Sequence, residues 1–382
     1  MRKNKICIVT SNRAEYPFMK TIMDNLKEYD LVVMGSHNVD LFGSSIDCIK
    51  KDGYKISRVL KTTLSSGDPS SMVYTNSVTM MQIMNTLEDL NPDLVVIPSD
   101  RYEMLAVATA AAISNRRVVH LFGGEQTGTI DESIRHAITK LSHLHLVATK
   151  KSKENVILLG ENPKHVYQVG TPDLDGLNNI TKPLKECFGI KTNKKFNPKK
   201  PYIIFSQHPV TTEYGQSAKQ IEITLEALNE LNIQTLLIWP NIDAGSIEMS
   251  KVIKRYLNKP FINNFAFKHL PFEDFMVYLK HSKGMVGNSS AGIRETASFG
   301  IGTVNIGSRQ FGRETSGNVI HVPHDKHQIK KAVLKMINTD YSDIKNIYGD
   351  GKSGKRIANI LSSINIDEIP IQKVLYRQTT NK

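Results

Sequence analysis

Three acidic residues stand just after apolar runs: Asp100 in the segment SDRYE (Ser99–Glu103), Glu125 directly behind Gly123-Gly124, and Asp131 in TIDES (Thr129–Ser133). If those runs are neighbouring strands, their carboxylates meet at one sheet edge. Clustered carboxylates push one another's pKa values apart, so that one can take a proton while another gives one near neutral pH. A simpler account covers part of the pattern. Thr129–Glu132 is a capping-box motif opening a helix, acids are favoured in a first helical turn, and Arg135 would pair with Asp131 one turn on. That account leaves three acids clustered after strands at one edge of one sheet unexplained, and they point to proton-transfer chemistry.

The second half offers another set. His208 follows an apolar run in FSQHPVTTE (Phe205–Glu213), and Asn288, Ser289 and Ser290 open a helix in GNSSAGIRE (Gly287–Glu295). Hydroxyls and free N–H groups at a helix start suit a phosphate, with Asn288, Ser289 and Ser290 as caps. Glu295, further along that helix, can accept both hydroxyls of a ribose. In the first half, Arg13 lies in the strand-to-helix turn SNRAEYP and Arg101 stands beside Asp100, both placed for an anion. The first half therefore reads as reactive and the second as a holder of a nucleoside diphosphate.

Other patterns carry less. GDGKSGKR (Gly349–Arg356) has Arg356 where a phosphate loop needs a hydroxyl, and no strand precedes it. His321, His324 and His327 lack the thiolate or acidic company of a metal site. No GxGxxG follows the first strand, so no dinucleotide, and more generally no cofactor or metal, is expected. The lysine-rich run Lys191–Lys200 reads as a solvated linker with a single aromatic, Phe196, too little for a nucleic-acid platform.

These residues need strands and helices to hold them. Ile6–Thr10, Leu31–Met34, Leu94–Pro98, Val118–Phe122 and His145–Ala148 read as buried strands, alternating with helical stretches at Phe18–Lys27, Met72–Leu90, Tyr102–Ser114, Asp131–Leu141 and Lys150–Leu159. The pattern restarts after the polar stretch Leu174–Pro201. There, strands are expected at Tyr202–Ser206, Thr235–Trp239, Gly284–Val286 and Thr303–Ile306, with helices at Ala218–Leu231, Phe272–Lys280, Ala291–Phe299 and His327–Ile337. Such alternation predicts an α/β protein of two doubly wound halves facing across a cleft.

Composition agrees. The 382 residues are 40% hydrophobic and 23% charged, ordinary values that exclude intrinsic disorder, and no apolar run approaches the length of a membrane span. Three widely spaced cysteines and the lack of a signal-peptide core fit a cytoplasmic chain better than a disulfide scaffold. The net charge of +12 suits an anionic partner, and a phosphorylated small molecule fits it better than nucleic acid, given one Trp among scattered charges.

Ten segments in order, SNRAEY, GSHNVDLFG, SDRYE, GGEQTGTIDESIRHAITKLSH, QHPVTTE, WPNIDAGS, KHLPFEDF, GNSSAGIRE, GSRQFGRE and IYGDG, give the chain a resemblance over nearly its whole length. It resembles the hydrolysing UDP-N-acetylglucosamine 2-epimerases of sialic-acid synthesis, both bacterial enzymes and the epimerase half of the animal bifunctional epimerase/kinase. The resemblance implies a GT-B fold. Residues 1–175 would form the lobe carrying the catalytic carboxylates, 176–358 the UDP-binding lobe, and 359–382 a helix and tail returning to the first lobe.

It also implies conversion of UDP-N-acetylglucosamine and water to UDP and N-acetylmannosamine, through a 2-acetamidoglucal. Asp100, Glu125 and Asp131 match the catalytic carboxylates; His37 and Arg135 match residues at the sugar. Arg13, Arg101, His208, Asn241, Phe272, Ser289, Ser290, Glu295 and Arg309 match the UDP site. Neither nucleic acid nor membrane is an expected partner, and a homodimer or homotetramer is, with the methionine-rich Met72–Leu90 helix one surface for it. Two departures, SDRYE for the family's usual GDR and Phe122 before the glycines, fall near the sugar's carbon 4. They leave open a 2,4-diacetamido substrate, another nucleotide sugar, or an epimerase that retains UDP.

Overall fold

Runs dominated by branched apolar residues, ICIVT, LVVI and RVVHL among them, are buried on both faces and bounded by turns, which is the signature of parallel strands covered by helices. The computed structural model describes residues 3–377 except 13, 40–44, 65–67, 99, 178–179, 190–195, 198, 242, 259–263 and 269. Two all-parallel sheets organise it. The first holds β1 (Ile6–Thr10), β2 (Asp30–Val33), β3 (Arg58–Val59), β4 (Leu94–Ile97), β5 (Arg117–Leu121), β6 (Leu144–Val147) and β7 (Val166–Gln168), in the order β3-β2-β1-β4-β5-β6-β7. The second holds β8 (Tyr202–Ser206), β9 (Gln234–Ile238), β10 (Asn264–Phe267), β11 (Met285–Gly287), β12 (Thr303–Ile306) and β13 (Val319–Val322), in the order β10-β9-β8-β11-β12-β13.

Both orders reverse direction once, between β1 and β4 and between β8 and β11. Open α/β sheets bind ligands at that switch, beyond the carboxyl ends of the strands. The residues after β1, β4, β8 and β11 are therefore the ones placed for a ligand.

Helices α1 (Tyr16–Met23), α2 (Ile46–Lys51), α3 (Pro69–Leu90), α4 (Tyr102–Ile113), α5 (Asp131–Leu141) and α6 (Lys150–Leu158) belong to the first lobe. The second carries α7 (Ser217–Leu231), α8 (Ser246–Leu257), α9 (Phe272–His281), α10 (Ala291–Arg294) and α11 (Lys326–Ile337). The last helix, α12 (Ser353–Ser363), crosses back and packs on α1, where the helix backbone at Gly354 abuts Thr21 too closely to admit a Cβ. Its first turn donates the Ser353 and Gly354 N–H groups to the Asp175 carboxylate at 2.8 and 2.6 Å. The GDGKSGKR stretch is thus a helix start whose anion is a side chain of this chain.

Expected elements and observed ones agree closely where periodicity was strong: Ile6–Thr10, Tyr202–Ser206, Thr303–Ile306 and Asp131–Leu141 coincide end to end. The peripheral strands β3, β7, β10 and β13, and helices α2 and α8, were not anticipated, and the expected returning helix, placed in 359–382, starts earlier, at Ser353; the outer strands of each sheet lack the unbroken buried run that marks the inner ones. The expected helix Ala291–Phe299 breaks at Glu295 into α10 and a 3-10 turn. The methionines of α3 do not form its buried face: Thr75, Thr79, Ile83 and Leu87 do, while Val73, Tyr74, Met80 and Met81 are exposed. Phe196, expected in a solvated linker, is buried against Phe265 at 4.4 Å between ring centres.

Candidate active site

Asp100 follows β4, while Glu125 follows β5 and Asp131 opens α5 at the end of the same connection, so two neighbouring connections of one sheet deliver three acids to the same edge. Arg135, buried one turn into α5, ties them together. Its guanidinium hydrogen-bonds the Asp100 carboxylate, the Glu132 carboxylate (2.9 Å), the Thr127 hydroxyl (3.1 Å) and the Glu125 backbone carbonyl (2.8 Å). The expected Arg135–Asp131 pair does not form. One turn of helix brings Glu132, not Asp131, to the arginine, and Asp100 reaches it from the next strand. Nor is there a capping box: the Glu132 carboxylate accepts from the Thr127 N–H (2.7 Å) and sits at 2.9 Å from His136 Nε2.

The three acids have different electrostatic surroundings. Burial would raise the Asp100 pKa, but the charges of Arg135 and Arg313 outweigh it and hold the carboxyl well below the usual range. Glu125 is likewise buried yet held low by Arg294, Arg313 and Arg135. Asp131 goes the other way. Burial, with the negative charges of Asp100 and Asp243 nearby, pushes its pKa up to about 6. Only Asp131 of the three is poised to exchange a proton near neutrality.

Arg294 and Arg313 come from the second lobe. Arg294 grips both Glu125 oxygens (2.9 and 2.8 Å) and Asp173 (2.9 Å), and Arg313 lies 3.0 Å from Glu125. Elsewhere across the gap Arg101 pairs with Asp243 at 2.8 Å, while also holding Glu103 of its own lobe. At one edge the backbones themselves meet: Gly128 N–H donates to the Arg309 carbonyl at 3.0 Å, and a Cβ on Gly128 would stand 1.9 Å from the Ser308 carbonyl oxygen.

On the nucleotide side, Asn288 does not cap α10. Its amide clips the β8 turn instead, accepting from the His208 N–H (2.7 Å) and donating to the His208 carbonyl (2.9 Å). The Asn241 N–H donates to His208 Nδ1 at 3.1 Å, which leaves Nε2 to carry the proton of the neutral ring. Arg309 and Gln310 both donate to the Asn288 carbonyl (3.0 and 2.8 Å). Ser289 and Ser290 start α10 half-buried, with Ser289 Oγ 3.4 Å from the Ala291 N–H. Glu295 is buried, and one of its carboxylate oxygens has no hydrogen-bond partner in the protein. Burial, with Asp173 nearby, pushes its pKa up to about 8. Phe272 opens α9, half-buried.

His37, expected at the sugar, is fully buried behind the β1 and β2 turns, its ring nitrogens 3.0 Å from Thr10 Oγ1 and 2.6 Å from Ser45 Oγ. Burial drives its pKa down to about 3, so the ring is neutral. Arg13 lies outside the described residues. Four residues of the interlobe network were missed: Asp173, Asp243, Arg294 and Arg313. All but Asp173 lie inside the motifs quoted above, and an arginine amid small apolar residues, as in SAGIRE, was the available signal.

Two parallel doubly wound lobes facing across a gap lined by carboxylates define a GT-B fold. Residues 21–362 match the family model for UDP-N-acetylglucosamine 2-epimerase, and the chain belongs to that family. It is 36% identical to a hydrolysing UDP-N,N'-diacetylbacillosamine 2-epimerase of Legionella pneumophila, over 94% of this chain and 96% of that one. It is 32% identical to a UDP-N-acetylglucosamine 2-epimerase of Neisseria meningitidis, over 97% and 98%. A solved Methanocaldococcus jannaschii UDP-GlcNAc 2-epimerase in complex with UDP-GlcNAc and UDP superposes with a TM-score of 0.79 at 17% identity, covering 94% of this chain and 99% of that one. Among the described residues no helix is long and apolar enough to cross a membrane.

Proposed function

We propose that the protein is a hydrolysing 2-epimerase that converts UDP-N-acetylglucosamine and water to UDP and N-acetylmannosamine. The observation that carries the reading is the split of carboxyl pKa values in one cleft mouth, with Asp131 near 6 beside Asp100 and Glu125 held ionised. Early cleavage of the bond from carbon 1 to UDP makes the carbon 2 hydrogen acidic. Asp131 then removes that proton, and the fixed charge of Asp100 favours the cationic ring. Arg101, Arg309, the His208 imidazole and the start of α10 face the departing diphosphate, and Glu295 takes the ribose. The resulting 2-acetamidoglucal is hydrated with the opposite configuration at carbon 2.

A second reading, the same chemistry on a 2,4-diacetamido sugar, draws on the Legionella relative. Incubation with UDP-N-acetylglucosamine and with its 2,4-diacetamido counterpart, followed by NMR of the products, decides between them. Free UDP with free N-acetylmannosamine is expected; a mixture of UDP-sugars would overturn the hydrolytic reading. The same reading includes a homodimer or homotetramer joined through the exposed apolar face of α3, which light scattering of wild type against Met81→Asp tests.

A further inference from the structure

Arg294 belongs to the nucleotide lobe, one residue before Glu295, yet its guanidinium sits in the catalytic turn of the other lobe. Its Nη2 donates to both oxygens of Glu125 and its Nη1 to Asp173, so the one guanidinium bridges two carboxylates. Its flat face lies over the ring of Phe122, 4.7 Å from the centroid. Phe122 has a φ of 66°, in the left-handed region that a bulky side chain seldom enters. That conformation aims the ring between Arg294 and the edge of Phe18, whose centroid is 5.1 Å away. The connection continues beyond Glu125, whose backbone carbonyl is held by Arg135 at 2.8 Å; Arg135 in turn holds Asp100. A series of contacts, one of them through the Glu125 backbone, therefore runs from the end of α10, next to Glu295, to Asp100.

We propose that Arg294, with Phe122 as its platform, is a positioning residue that couples closure of the nucleotide lobe to the working shape of the Gly123–Thr127 turn. The proposal rests on the epimerase reading above. With the lobes together, the guanidinium fixes Glu125, and Glu125 fixes the carbonyl on which Arg135 and then Asp100 depend. With the lobes apart, the bridge to Glu125 is lost, and the turn keeps only the holds of its own lobe, from Arg135, Glu132 and Asn155. Arg313 adds a second cation to the same carboxylate, 3.0 Å away. A bridge that served stability alone would leave the chemical step and its pH dependence unchanged. A positioning bridge changes both, because a buried Glu125 stripped of its partner takes up a proton at higher pH.

The test uses the full-length enzyme with UDP-N-acetylglucosamine and four readouts: kcat, KM, UDP affinity by calorimetry, and the pH profile of kcat/KM. In Arg294→Met, kcat is expected to fall about 100-fold, the loss typical of a misplaced catalytic group, while UDP affinity stays within about threefold. The acid limb of the profile moves to higher pH, and added methylguanidinium restores part of the rate. Arg294→Lys, which keeps the charge but lacks the second nitrogen that reaches Asp173, falls between the two. Phe122→Leu keeps the arginine and removes its platform; a drop in kcat with the thermal midpoint nearly unchanged supports the proposal, and it alone decides if Arg294→Met does not fold. Wild-type kcat and pH profile in Arg294→Met and Phe122→Leu, with only the thermal midpoint lowered, would overturn it. A wild-type enzyme inert on every UDP-sugar offered would instead overturn the epimerase reading, and this proposal with it.

Discussion

The two lobes share a topology and differ in how they treat buried polar groups. In the first, Asp100, Glu125, Glu132 and Arg135 are joined to one another, and Arg294 and Arg313 complete the set from across the gap. In the second, several buried polar atoms at the sheet edge have no partner among the described residues, both amide atoms of Gln207, Oε2 of Glu295 and Oε1 of Gln310; in the first, Thr62, Thr63, Asn76, Arg116, His136 and His145 also carry such an atom, but none of the three acids does. Buried groups without partners are costly, so they are kept where something else supplies the bond. On the proposed reading, the first lobe holds charge in place for chemistry and the second leaves groups for the nucleotide.

The sharpest way to break this division is at Asp131. Asp131→Asn, Asp100→Asn and Glu125→Gln are each expected to lower turnover by 10²–10⁴-fold, with UDP affinity within about threefold of wild type by calorimetry. Loss of UDP binding together with activity would erase the distinction between the lobes.

The converse substitution, Glu295→Gln, should weaken UDP about tenfold, the scale of a lost hydrogen bond to a charged group, and spare kcat at saturation. Because the free Glu295 carboxyl titrates near 8, gripping a ribose in the ionised form releases a proton at pH 7. Calorimetry in two buffers of different ionisation enthalpy should detect that proton in wild type and not in the variant.

A finer test is pH. Asp131 must be ionised to act as a base, so kcat/KM of wild type should fall as pH drops through about 6. The stability consequence has the opposite sense. The folded pKa is raised above the ordinary 3.8, so protonation of Asp131 contributes stability in acid that is lost as pH rises through about 6. Asp131→Asn should therefore melt higher than wild type at pH 7, and the gain should vanish below pH 4. Equal melting at both pH values would mean that Asp131 is not under electrostatic strain. The smallest effect lies away from both edges: Asp175→Ala, which uncaps α12, should cost ~1 kcal/mol in denaturant unfolding and leave turnover unchanged.

The alternation of buried strands and helices was legible because fully buried parallel strands form unbroken apolar runs; β1, β8 and β12 were found to the residue. The short strands β3 and β13 were not, since half-exposed edge strands lack that run. The same reasoning separates the site residues. Acids after strands could be read one lobe at a time, and Asp100, Glu125 and Asp131 were. What each acid experiences depends on arginines more than 150 residues away, Arg294 and Arg313 on Glu125 above all, and no local spacing records that. Local patterns even misled: Arg135 stands one turn after Asp131 but bonds Asp100 and Glu132, because the neighbouring strand supplies a better acceptor.

The backbone meeting at Gly128 has one more consequence. With no space for even a methyl group between residue 128 and Ser308, this edge of the gap shuts flush, and any larger side chain there would act as a doorstop. Even alanine at this position would have to push away the Ser308 carbonyl and, with it, the backbone of Arg309 that Gly128 holds.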